Sequence, residues 1–210
     1  SGLQAKSADD TPIAIDPNVT IGRLHNGLTY YIRPNAKPEN RVELRLVVNA
    51  GSILENDDQR GLAHFVEHMA FNGTEHFPKN ELVSYLQSIG VKFGGDLNAS
   101  TSFDETVYML PIPTQNPDHV EKGFQVLADW AGGLQFDPAE IDKERGVVLE
   151  EARLGKGASD RVRRRLLPEL FGNLRVAPLD NYPDALPETL RSVAPRPASK
   201  DPTVVLLTPG

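Results

Sequence analysis

The residues with most chemistry to offer stand together at His64-Phe65-Val66-Glu67-His68. In a helix, side chains four positions apart share a face, so His64 and His68 can aim two imidazoles at one metal ion. Glu67, three positions after His64, projects to the same side. Its neighbours Leu62, Phe65, Val66 and Met69 are apolar, so the three polar groups belong to a helix with the composition of a buried one. Burying three ionisable groups is costly unless they coordinate or pair. That cost argues for a metal.

Two imidazoles and a water leave a tetrahedral zinc one protein ligand short. The chain has no cysteine, so the missing ligand is a carboxylate or another histidine. The best source is the stretch Lys143 to Glu151. Glu144 and Glu151 are two helical turns apart and share a face, whereas Glu150 points about 100° away from Glu151 and reads as solvated. Carboxylates on a charged helix are common, and this stretch alone would make no site. Beside a two-histidine site short of a ligand, it does.

These residues need elements to hold them. Residues 1–18 read as an extended arm broken by Pro12 and Pro17. Val19 to Arg33 reads as a hairpin around the two-residue turn Asn26-Gly27. Val42 to Val48 alternates as a third strand, and residues 60–71 form the helix that carries the two histidines. A second helix spans Lys79–Ile89 and stops at Gly90. Strands are expected at Val91–Ser100 and Glu105–Ile112. Pro117 to Leu134 reads as an amphipathic helix burying Phe124, Leu127, Ala128 and Ala131. Asp137-Pro138 opens another helix, with Asp as cap and Pro in the first turn, running to about Leu154. Ala158–Phe171 is a further helix, whose basic run Arg161, Arg163, Arg164 and Arg165 reads as a solvated face. Residues 175–202 are proline-rich and weakly patterned, and Val204–Leu207 reads as a last strand. Hairpins mixed with helices point to an α+β domain with a mostly antiparallel sheet. The organisation expected is an arm at 1–18, a metal-bearing domain at 19–174 and an atypical segment at 175–210.

Composition excludes several classes. The chain has 210 residues, 22 Lys+Arg against 29 Asp+Glu, and a formal charge of −7. A pI near 5.3 argues against nucleic acid as a partner, because phosphate binding needs clustered Lys/Arg. No apolar run approaches the ~18–20 residues of a membrane span, so no transmembrane segment is expected. The first residues are small and polar rather than basic and apolar, so no targeting segment is legible. Zero cysteines exclude disulfides, thiolate zinc sites and cysteine nucleophiles without assigning a compartment.

His64-Phe65-Val66-Glu67-His68 matches the HxxEH signature of the inverzincins. The surroundings resemble the pitrilysin/insulinase/mitochondrial-processing-peptidase family over about residues 19–172. The supporting stretches are Leu28-Thr29-Tyr30-Tyr31-Ile32, Val48-Asn49-Ala50-Gly51-Ser52, Met69-Ala70-Phe71-Asn72-Gly73-Thr74, Asn98-Ala99-Ser100-Thr101-Ser102 and Glu144-Arg145 through Glu151. The form His-Met-Ala-Phe-Asn-Gly-Thr is similar to exported bacterial members. What the resemblance implies is a zinc-dependent metalloendopeptidase with the fold of that family's N-terminal half-domain. It implies one Zn²⁺ per chain held by His64, His68 and Glu151, with Glu67 as general base. Glu144 would orient the site from behind the ligands. The edge Asn98, Ala99, Ser100 and Thr101 would pair with the substrate backbone as an added strand. The gap from His68 to Glu151 is wider than the family's usual one. An insertion around Thr114–His119 accounts for it; otherwise the spacing favours Glu144 as the ligand.

The resemblance also implies partners. The substrate would be a peptide or unfolded protein. A second, similar domain would close over it, as a separate chain, a second copy in a homo-oligomer, or another part of the same protein. Location would be periplasmic or secreted, as in the bacterial members. A rival reading of the same fold is a catalytically idle peptide-binding or assembly subunit, against which the intact motif argues. Other candidates are weaker: His76, His25 and His119 read as surface residues, and Trp130 as core.

Overall fold

The computed structural model describes residues 14–56, 58–92, 94, 98–171 and 202–209, with 163–164, 167–171 and 202–209 described by their backbone alone. Among these residues six strands form one sheet: β1 (Thr20–Arg23), β2 (Thr29–Asn35), β3 (Arg41–Val48), β4 (Asn98–Thr101), β5 (Thr106–Pro113) and β6 (Pro202–Pro209). Their order is β1-β2-β6-β3-β5-β4. Every pairing is antiparallel except β2 with β6, which run parallel. Among the described residues, five α-helices accompany the sheet: α1 (Leu62–Met69), α2 (Glu81–Ser88), α3 (Pro117–Gly132), α4 (Pro138–Leu154) and α5 (Ala158–Phe171). This is the expected α+β class, with helices packed on a mostly antiparallel sheet.

Alternation sorts each strand between two faces. Val42, Leu44 and Leu46 of β3 are buried, and so are their register neighbours Ile112, Leu110 and Tyr108 of β5. They pack with Leu82 and Leu86 of α2 and with Val126, Leu127 and Trp130 of α3. A smaller cluster joins α1 to α4 through Phe65, Met69 and Val148. Thus α1 is wedged between the sheet and α4, which holds its polar groups at their junction.

Several expectations need correcting. Inside the pair where Leu24 N–H donates to the Leu28 carbonyl at 2.8 Å, the β1–β2 turn has three residues, not two, and its Gly27 takes a left-handed φ of 94°. Such a loop, closed by a left-handed glycine, is the next most common hairpin after the two-residue turn. The strand expected over Val91–Ser100 is confined to Asn98–Thr101 among the described residues, because Gly94 turns the chain at φ 81°. On α3 the buried face is Gly123, Val126, Leu127 and Trp130, while Phe124 is 43% exposed. Gly123 decides that rotation. A Cβ there would lie 2.9 Å from side-chain atoms of both Ile112 and Leu44, so the helix lies against the sheet at this point. The expected Val204–Leu207 strand lies within β6, in the middle of the sheet. The arm expected over 1–18 and the proline-rich stretch 175–202 fall largely outside the described residues.

Candidate metal centre

Helix α1 begins at Gly61, which takes a left-handed φ of 89° and offers no capping side chain. The cap comes from Glu55 instead. Its two oxygens accept the N–H groups of Gly61 and Ala63, each at 2.8 Å, and so satisfy donors that the first turn leaves free. Burial pushes the Glu55 carboxyl above its usual range, with those two N–H groups and Arg60 pulling against it.

Three potential ligand atoms converge beyond this cap. His64 Nε2 and His68 Nε2 are 3.1 Å apart, and Glu151 Oε2 lies 3.6 Å from the first and 3.4 Å from the second. His64, His68 and Glu151 form the cluster suited to a metal among the described residues. At zinc–ligand distances of about 2.0–2.1 Å, two corners of a tetrahedron stand about 3.3–3.4 Å apart. The observed triangle matches that size. Glu151 is 51% exposed, so the cluster opens to solvent on one side and leaves room for a fourth ligand.

The donor set points the same way. His68 Nδ1 is 2.8 Å from Glu144 Oε1. The hydrogen bond with His68 holds the Glu144 carboxyl below its usual range against burial, with Asn72 helping, so Glu144 is ionised near neutrality and can only accept. Nδ1 must therefore carry the hydrogen, which leaves the neutral His68 with a bare lone pair at Nε2. That lone pair faces a second imidazole nitrogen and a carboxylate oxygen. Three acceptors gathered around one point call for a cation. Burial and then the neighbouring His68 lower His64, whereas for His68 burial is outweighed by Glu144, Glu151 and Glu67, and its pKa rises.

Glu67 is only 8% exposed. Its Oε2 accepts a short hydrogen bond from the Thr101 hydroxyl at the end of β4. The Glu67 charge, after burial itself, also raises the pKa of the Tyr108 hydroxyl.

The sequence-derived candidates divide cleanly. His64, His68 and Glu151 come together, Glu67 lies between the two histidines on the same turn of α1, and Glu144 meets the far nitrogen of His68 rather than its Nε2. Glu150 instead pairs with Arg153 at 2.6 Å on the outer face. On β4, Asn98 and Ser100 are exposed, while Ala99 packs toward the core and Thr101 turns to Glu67. Asn72, Glu55 and Thr106 were not among the candidates. Asn72 lies in the turn just after α1, where its side-chain amide donates to the His68 carbonyl at 3.1 Å. His76 is half-exposed as expected, but its Nδ1 lies 2.8 Å from the buried Asp129, and His119 is half-buried rather than solvent-facing. Trp130 is core, donating from Nε1 to the Ala70 carbonyl at 3.0 Å.

Comparison with known proteins gives this geometry a context. Residues 30–176 match the family described as Insulinase (Peptidase family M16), and residues 155–210 match one described as circularly permuted ATP-grasp type 2. The chain is 45% identical over 166 residues to a probable zinc protease PqqL of Haemophilus influenzae, covering 79% of the chain and 17% of that protein. To the probable zinc protease PqqL of Escherichia coli it is 40% identical over 180 residues, 86% of the chain and 19% of that protein. The crystal structure of the first half of the periplasmic protease PqqL from Escherichia coli superimposes with a TM-score of 0.82 at 35% identity, over 92% of this chain and 43% of that one. The chain thus spans about a fifth of the length of these zinc proteases. Among the described residues, no helix is long and apolar enough to cross a membrane.

Proposed function

Because the chain belongs to the insulinase family of peptidases (peptidase family M16), we propose that it is the metal-bearing part of a zinc-dependent metalloendopeptidase. His64, His68 and Glu151 hold one Zn²⁺ per chain, through the two Nε2 atoms and a carboxylate oxygen. The observation that carries the reading is the triangle of three acceptors with a buried carboxylate, Glu67, next to His68 on α1.

A bound zinc ion supplies Lewis-acid polarisation of a carbonyl and lowers the pKa of water. The protein residues do the rest. Glu67 takes the proton of the attacking water and delivers it to the leaving nitrogen, so that one side chain serves both steps. Glu144 holds His68 in the tautomer that presents Nε2, the usual duty of a carboxylate behind a histidine ligand. Strand β4 ends the sheet, and the edge formed by Asn98 to Thr101 accepts an extended peptide as a further strand. Main-chain pairing of this kind suits a peptide or unfolded protein whose sequence matters little.

Since the chain spans a small share of its relatives, a second peptidase-like domain or subunit completes the enclosure around the substrate. The periplasm is the proposed location, following the periplasmic relative. The test is hydrolysis of an unstructured polypeptide by this chain, alone and mixed with a candidate second domain, before and after chelation. Zinc-dependent cleavage in either arrangement supports the peptidase reading. A chain that binds zinc and peptide yet cleaves in neither is the idle subunit.

A further inference from the structure

We infer that Thr101 is a positioning residue for Glu67, joining the strand that seats the substrate to the carboxylate that moves the proton; the inference rests on the peptidase reading above. The register of β4 supplies the geometry. Asn98 to Thr101 pair with Met109, Tyr108, Val107 and Thr106, so side chains alternate between the two faces of the sheet. Asn98 and Ser100 point outward, whereas Thr101 reaches Glu67, 34 positions earlier in the chain.

The direction of the bond follows from a proton count. An ionised carboxylate can only accept, and a threonine hydroxyl has one hydrogen to give. Thr101 therefore donates to Glu67 Oε2. A buried carboxylate needs such a partner, because an unsatisfied charge away from water is expensive. With Oε2 held, rotation about the terminal bond of Glu67 is restrained and Oε1 is the oxygen left for the attacking water.

The end of β4 that carries Thr101 is itself anchored. Thr106, its register partner on β5, spends its one hydroxyl hydrogen on the Ala50 carbonyl at 2.9 Å. Immediately after Thr101, the Ser102 and Phe103 carbonyls accept the N–H groups of Ser52 and Ile53, at 3.1 and 2.8 Å. Gly51 permits that approach, since a Cβ there would lie 2.4 Å from the Ser102 oxygen. The end of β4 is thus bracketed by residues 50–53, and Glu55, just beyond them, caps α1. Seating a peptide on β4 and setting the base are two ends of one connected unit.

Thr101→Val keeps the shape and removes the hydroxyl, and Thr101→Ser restores it. Two measurements on the zinc-loaded full chain test the role. The first is the isotope-edited infrared band of the Glu67 carboxylate, assigned against Glu67→Gln, which needs no turnover. It should shift in Thr101→Val and return in Thr101→Ser. The second is steady-state hydrolysis, in which Thr101→Val should lose about 10-fold or more in kcat, with KM and zinc stoichiometry unchanged and kcat recovered by Thr101→Ser. An unshifted band overturns the contact, and a shifted band with unchanged kcat overturns the positioning role. Zinc-loaded wild type that hydrolyses nothing, alone or with a second domain, counts instead against the peptidase reading, whatever the band does.

Discussion

His68 Nδ1 stands 2.8 Å from Glu144 Oε1, on the side of the ring opposite the Nε2 that faces His64 and Glu151. One imidazole is thereby held between two glutamates of a single helix, two turns apart on α4. The near one fixes the tautomer, and the far one joins the ligand triangle. Replacing Glu144 by Gln keeps the volume but offers an amide, whose weaker acceptor no longer fixes the hydrogen at Nδ1. Zinc affinity should fall about 10–100-fold. Competition with a chelator of known affinity measures it, and an unchanged affinity would remove Glu144 from the site.

Glu67→Gln separates the proton carrier from the metal. Glu67 lies outside the ligand triangle, so zinc content should stay at the wild-type level. Peptide binding should persist as well, while hydrolysis slows by at least ~10²–10⁴. Metal analysis beside a single-turnover assay checks both halves. Loss of zinc in this variant would mean that the roles within α1 are divided differently.

Acid should loosen the other end of the core through Asp129, which is 2% exposed. Burial would raise its pKa, but the hydrogen bonds from Thr74, the His76 backbone and ring, and Gln125 outweigh it and the pKa falls. A carboxyl whose folded pKa lies below its unfolded value stabilises the fold above the unfolded value, near 3.8, and loses that contribution as pH falls through the folded one. Asp129→Asn should therefore cost about 2 kcal/mol near neutrality. The gap between the two melting curves should narrow as pH drops below the ordinary carboxylate range. A gap that widens in acid would give Asp129 the wrong sign.

Gly123→Ala sets two effects against each other. Alanine gains about 1 kcal/mol of helix propensity over glycine. The new Cβ meets Ile112 and Leu44 at 2.9 Å, and both of these are fully buried, so neither can swing aside. Overpacking of that kind costs about 1–3 kcal/mol. The variant should melt at or below the wild-type temperature. A clear rise would mean that α3 can lift from the sheet.

Local signals carried far along this chain, and long-range ones did not. The spacing of His64, Glu67 and His68, the Asp137-Pro138 start of α4 and the left-handed Gly90 after α2 each arise from contacts within a few residues, and all were legible. Glu144 and Glu151 were legible as a pair, yet which of them meets Nε2 depends on how α4 docks on α1. The face of α3 was misjudged because Phe124 outweighs Gly123 in any hydrophobic tally, while the sheet needs the smaller residue. Partnerships such as Thr101 with Glu67 and His76 with Asp129 join positions 34 and 53 apart, and no periodicity announces them.

The central claim is that His64, His68 and Glu151 together hold one zinc ion. Zinc stoichiometry of the folded chain and of its Glu151→Gln and Glu144→Gln variants, measured after dialysis against a weak chelator, tests it most directly. One zinc per wild-type chain is predicted, with near-complete loss in Glu151→Gln and substantial retention in Glu144→Gln. A folded wild type without zinc, or metal stripped by Glu144→Gln but not by Glu151→Gln, would contradict it.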